Sequence, residues 1–139
     1  MAELTALREA LAAEQAVVYG YGVVGAHLSG KAEKYAAARL VAHQELRDQL
    51  AALIQQIGAV PASALPAYQL PFPVTDAVEA RRLGGTLENG SAGAAWDLTA
   101  ATSSASPGRQ LAVDWLIDVA KAAALWGASN ALPGQSATS

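Results

Sequence analysis

Residues 58–74 read GAVPASALPAYQLPFPV, with prolines at 61, 66, 71 and 73. Proline fixes φ, lacks an amide hydrogen and clashes with the preceding turn, so this run forbids a helix and favours extended chain. An extended chain advances roughly 3.1 to 3.3 Å per residue, which lets the segment reach about 50 Å. A helix of about 26 residues is only about 39 Å long at 1.5 Å per residue. The segment is therefore long enough to climb the full height of a helical bundle. A short loop would force the helix after it to run antiparallel to the helix before it, whereas this connection permits the two to run parallel.

Upstream, the chain is rich in alanine, the best helix former, which supplies 34 of the 139 residues. Leu4, Leu7, Leu11, Glu14, Val18, Tyr21, Gly25 and Leu28 follow the 3-4 spacing of a bundle-facing seam on a first helix that ends at Ser29-Gly30. Glu14 is the charged member of that seam. A second helix is expected from Lys31 to Ile57, stopped by Gly58, with His43, Leu46, Leu50, Leu53 and Ile57 as its seam. Folding the pair back about Ser29-Gly30 brings His43 within one turn of Glu14.

Downstream, Asp76 with Glu79 makes a capping-box-like start to a third helix running toward Thr102. Gly84, Gly85, Gly90 and Gly93, with Asn89, weaken its seam and predict a kink or close backbone approach near the middle. Ser103 to Ser106 reads as a loop, and Ser106-Pro107 as an N-cap with proline in the first helical position. A fourth helix then runs to Trp126, with Leu111, Trp115, Leu116, Val119 and Leu125 as its apolar body. Residues 1–127 form one domain in this reading, and the tail 128–139, ASNALPGQSATS, is expected to be disordered. The fold class that follows is all-α, a four-helix bundle with a long Pro-rich crossover between helices two and three. That is the ferritin-like connectivity.

Composition removes several functions. Nine Lys and Arg against twelve Asp and Glu, a net charge of −3, leave no basic stripe for nucleic acid. The absence of Cys excludes disulfides, thiolate nucleophiles, zinc-thiolate sites and iron–sulfur clusters. Charge-free runs at 15–30 and 49–75 are respectively too short and too rich in proline to span a membrane. Glu3, Arg8 and Glu9 interrupt what a signal peptide would keep apolar, so a cytoplasmic protein is expected. A charged fraction of 15% implies a sparsely solvated surface, and a homodimer is the expected way of covering it.

Glu14, His43, Glu88 and Asp118 fall near the midpoints of the four helices, the level at which ferritin-like di-metal proteins place Glu and Glu-x-x-His ligands. Carboxylates with imidazole suit iron or manganese. The set is incomplete: Leu40 stands where His43 would need Glu, and Lys121 where Asp118 would need His. Four ligands could hold at most one ion, with water completing it. A metal-free alternative pairs Glu14 with His43, since a lone buried carboxylate must find a partner. Asp118 also lies on the stripe Gln110, Asp114, Asp118 and Lys121, which reads as the solvated face of its helix. Glu88, beside Asn89-Gly90, fits either an inward ligand or an exposed residue. His27 reads as a surface residue by the first turn. Tyr19, Tyr21, Tyr35, Trp96, Trp115 and Trp126 read as core or interface. YGYGVVG (19–25) imitates part of a dinucleotide loop but lies inside a helix with no strand before it.

The chain resembles a bacterial ferritin-like domain family of unknown function. The resemblance rests on AEQAVVYGYGV (13–23), on Ala42-His43 with Arg47-Asp48, and on YQLPFPVTD (68–76), and it covers residues 4–127. It implies a ferritin-like bundle and no established reaction. Members of that family often show Ala-Glu-His where this chain has Ala13-Glu14-Gln15, so a site using that His would be weakened here.

The leading expectation is a non-catalytic binding or interaction protein with a degenerate metal site and no cofactor; whether it is an enzyme stays open. The rival is an iron- or manganese-binding oxidoreductase or metal-handling protein using Glu14, His43, Glu88 and Asp118. A third reading is an apolar small-molecule pocket opened by the glycines of helix three beside Trp96 and Trp115.

Overall fold

The computed structural model describes residues 2–127. The chain forms α1 (Ala2–Ala26), α2 (Gly30–Gln56), α3 (Ala77–Ala101) and α4 (Pro107–Leu125), with no strand among the described residues. The tail reading for 128–139 lies outside the described residues. Local chemistry sets the helix ends. Asp76 Oδ1 accepts from the Glu79 amide at 2.8 Å, and Ser106 Oγ from the Gly108 amide at 3.1 Å with Pro107 beside it. Gly58, at φ +91°, reverses the chain after α2 in a conformation that a side chain would oppose.

Two core clusters fix the helix directions. Leu7, Leu50, Ile54, Leu98 and Ala112 share one end of the bundle, and Val24, Ala36 and Ala80 share the other. Hence α1 and α4 run one way, while α2 and α3 run the other. The connection between α2 and α3 begins with Ala59 on the first cluster and ends with Leu70, Phe72 and Val74 on the second. On the way, the Gln15 side-chain amide donates to the Ala62 carbonyl at 2.8 Å, and the Tyr68 ring meets Tyr19 at 5.7 Å. Each large aliphatic side chain buried in these clusters contributes roughly 1.5–3 kcal/mol.

Several seam positions differ from the 3-4 count. On α2 the buried series is Ala36, Arg39, His43, Leu46, Leu50 and Ile54; Leu53 is half-buried and Ile57 exposed. On α1, Val17 and Val24 are buried where the count placed Val18 and Gly25. A helix with about 3.6 residues per turn drifts away from a strict 3.5 repeat, so a seam extrapolated over several turns slips by one position. On α4, Leu125 is 72% exposed and Leu111 and Leu116 are half-buried, while Ala112, Trp115, Val119, Ala122 and Ala123 face inward. Small residues there let α3 come close.

The third helix is uninterrupted, and its seam is regular: Ala80, Gly84, Glu88, Ser91, Ala95 and Leu98 are buried. Gly84 serves close packing, whereas a Cβ on Gly90 would meet nothing within 4 Å. A Cβ on Gly84 would stand 2.7 Å from Trp126 Cε2, and one on Gly20 of α1 would stand 2.7 Å from Leu87 Cδ1. By contrast α2 and α4 approach each other sparingly.

Candidate functional site

A hydrogen-bonded ionic network crosses the middle of the bundle. Glu14 reaches it from the α1 seam and is fully buried. Ser91 Oγ donates to Glu14 Oε1 at 2.6 Å, and His43 Nδ1 lies 2.5 Å from Glu14 Oε2. His43 Nε2 lies 2.8 Å from Glu88 Oε1. The Tyr21 hydroxyl donates to that same oxygen at 2.6 Å. Arg39 Nε donates to Glu88 Oε1 at 2.9 Å and Nη2 to Oε2 at 3.1 Å. On its outer side Arg39 meets Asp118, with Nη1 3.2 Å from Oδ1 and Nη2 3.0 Å from Oδ2. An indole closes each end: Trp115 Nε1 donates to Ser91 Oγ at 2.8 Å, and Trp126 Nε1 to the Tyr21 oxygen at 2.9 Å. All four helices contribute. Among the described residues no buried side-chain nitrogen or oxygen lacks a partner, as a buried polar cluster requires if it is not to cost stability.

Charge and burial oppose each other here, and charge wins. Burial disfavours the imidazolium of His43, yet its bonds to Glu14 and then Glu88, with their charges, outweigh this and push its pKa up to about 9. Burial likewise works against the Arg39 guanidinium, and Glu88 followed by Asp118 holds it above its ordinary value. Burial alone would raise Glu88; His43 and Arg39 bring it below the usual carboxylate range. Burial, then the Glu88 charge, drives the Tyr21 phenol well upward. Thus Tyr21 stays a neutral donor.

Three of the four residues singled out from sequence converge in the interior: Glu14, His43 and Glu88. Asp118 lies with its side chain 56% exposed, as its stripe implied, but it also grips Arg39. Arg39 is the residue that sequence reading missed. Its signal was present, because stepping back four residues from His43 along the same helix face reaches it. Tyr21 and Trp115 were read as core or interface and Ser91 was not singled out, and the polar atoms of all three complete the network. His27 is half-buried, with Nδ1 2.9 Å from the Val23 carbonyl oxygen, and lies apart from it.

As the side chains stand, no group of three or more His, Asp or Glu among the described residues is arranged to hold a metal ion. Both ring nitrogens of His43 face carboxylate oxygens, which suits a doubly donating imidazolium rather than a ligand with a free lone pair. The room left by the α3 glycines is not beside Trp96 and Trp115. Trp96 is 60% exposed, and Trp115 is buried against Ser91. Trp126 covers Gly84, and Gly90 and Gly93 line a groove with Ala6, Ala10 and Ala13 of α1. No described helix is long and apolar enough to cross a membrane.

The model of a domain of unknown function (DUF4439) matches residues 6–137. The structure is similar to the crystal structure of a conserved hypothetical protein from Mycobacterium tuberculosis, at 32% identity and a TM-score of 0.86, over 91% of this chain and 95% of that one. No curated protein sequence matches the chain.

Proposed function

We propose, from the premise that this chain belongs to the family of domains of unknown function DUF4439, that it is a ferritin-like bundle braced by side-chain cations and acting by binding rather than catalysis. The observation that carries this reading is the position of Arg39. Its buried guanidinium lies between Glu88 and Asp118 and against His43, where a metal ion would have to sit to be shared by those residues. Arg39 and the imidazolium of His43 together offset the two buried carboxylates, Glu14 and Glu88, so the network needs no further cation. The ferritin-like part is supported by α2 and α3 running in the same direction, joined by a connection spanning both core clusters.

A binding role, with a homodimer as its simplest form, is supported by the sparse surface charge and by Val113, Ile117 and Leu125 exposed along α4. Metal analysis of the purified chain before and after anaerobic loading with iron or manganese tests the metal-free centre, with Glu14→Ala/His43→Ala as control. The expected result is no stoichiometric metal in either protein. Near-stoichiometric metal that the control loses would overturn this reading in favour of an iron- or manganese-dependent oxidoreductase or metal-handling protein. Light scattering across a concentration series tests association, and a strict monomer at every concentration would remove the dimer.

A further inference from the structure

Two carboxylate oxygens and one imidazole nitrogen, from three residues, converge on a single guanidinium nitrogen. Arg39 Nη2 lies 3.1 Å from Glu88 Oε2, 3.0 Å from Asp118 Oδ2 and 3.3 Å from His43 Nε2. From this convergence we infer that Arg39 closes a latent divalent-metal site of two carboxylates and one imidazole, and that removing its side chain opens the site. The inference rests on the metal-free reading above and asks what the arginine excludes.

Two carboxylates and an imidazole are a donor set that first-row divalent ions such as manganese, iron and cobalt accept. Bond lengths to such ions are roughly 2.0–2.2 Å, so each donor must move inward by about 1 Å from its place around Nη2. Asp118 has the freedom to do so, because its side chain is half-exposed at the sparsely packed side between α2 and α4. His43 needs little reorientation, and binding displaces its Nε2 proton to solvent so that the lone pair can face the metal. Its Nδ1 is already held by Glu14, which Ser91 holds in turn, and a carboxylate on one ring nitrogen is the arrangement that directs the other toward a metal. Glu88 keeps its bond from Tyr21 when Arg39 is gone. With Arg39 present the site is closed for two reasons. The guanidinium fills the position, and it carries a permanent positive charge.

The test uses Co2+ alone, read by visible absorption and equilibrium dialysis, on the natural chain, Arg39→Ala, Arg39→Gln and Arg39→Ala/Glu88→Gln. The expected outcome is near-stoichiometric Co2+ on Arg39→Ala, at least tenfold weaker binding once Glu88→Gln is added, and none on the natural chain. Arg39→Gln guards against a folding defect, since it keeps most of the side-chain volume while removing the charge; it too should gain Co2+, more weakly. Folded Arg39 variants that bind no Co2+, or binding that survives Glu88→Gln, would overturn the inference. If both Arg39 variants are unfolded without metal, recovery of the helical signal on adding Co2+ supports it, and failure to recover overturns it. Uptake by the natural chain would instead defeat the metal-free reading itself, so the two failures are separable.

Discussion

Arg39 holds Glu88 through two bonds, Nε to Oε1 at 2.9 Å and Nη2 to Oε2 at 3.1 Å, and so ties α2 to α3 across the bundle. Both side chains are almost wholly buried, at 9% and 0% exposure. Breaking such a pair leaves a buried charge without a partner. Arg39→Met is expected to destabilise the fold by about 3–5 kcal/mol. Asp118→Ala, which removes the half-exposed side of the same arginine, is expected to cost less than about 1 kcal/mol. Adding Glu88→Gln to Arg39→Met should recover part of the loss. Urea unfolding of the four proteins at neutral pH gives the comparison, and equal losses from Arg39→Met and Asp118→Ala would contradict it.

Stability should decline on the alkaline side. His43 titrates near 6.5 in the unfolded chain and at about 9 in the folded one. Its contribution is therefore fully present below the unfolded value and is lost as pH rises through about 9. Glu88 works in the opposite sense: its pKa is lowered by folding, so its contribution is lost as pH falls through the folded value. The groups facing His43 are Glu14, Glu88, Arg39 and Tyr21. Unfolding free energy is expected to drop by a few kcal/mol between about pH 6 and pH 10, and His43→Gln to flatten that limb. Urea midpoints across this range decide it.

Two glycines of α3 should respond to alanine in opposite directions. A Cβ at Gly84 would meet the Trp126 indole at 2.7 Å, whereas one at Gly90 would meet nothing within 4 Å. Gly90→Ala is expected to stabilise by about 0.5–1 kcal/mol through helix propensity. Gly84→Ala has the same propensity gain but must displace Trp126, and overpacking typically costs about 1–3 kcal/mol. Thermal melts of the two variants should move apart, with the change in tryptophan fluorescence confined to Gly84→Ala.

The Tyr21 hydroxyl both donates to Glu88 and accepts from the Trp126 indole. Tyr21→Phe keeps the ring and leaves the indole N–H without that partner. A loss of about 1–3 kcal/mol is expected, as for other buried polar groups left unsatisfied. Trp126 emission should change in the folded protein, and an unchanged melting temperature would argue against the network as drawn.

Much of this architecture was legible in the chain because its determinants are local. Alanine content, the Asp76 and Ser106 caps, Gly58 and the four prolines each act within a few residues, and together they set four helices and a long connection. The Glu14 to His43 contact was also legible, since a hairpin of two adjacent helices leaves little freedom in which residues stand level. The rest was decided by how each helix turns about its axis when all four pack. That rotation buried Val17 rather than Val18 and Ile54 rather than Leu53. It also brought Arg39 to Glu88, 49 residues away, and to Asp118, 79 residues away. No local rule pairs charges at such separations. Their meeting depends on the small residues of α3 and α4 that let the helices close, and on the cost of leaving any one of these buried charges alone.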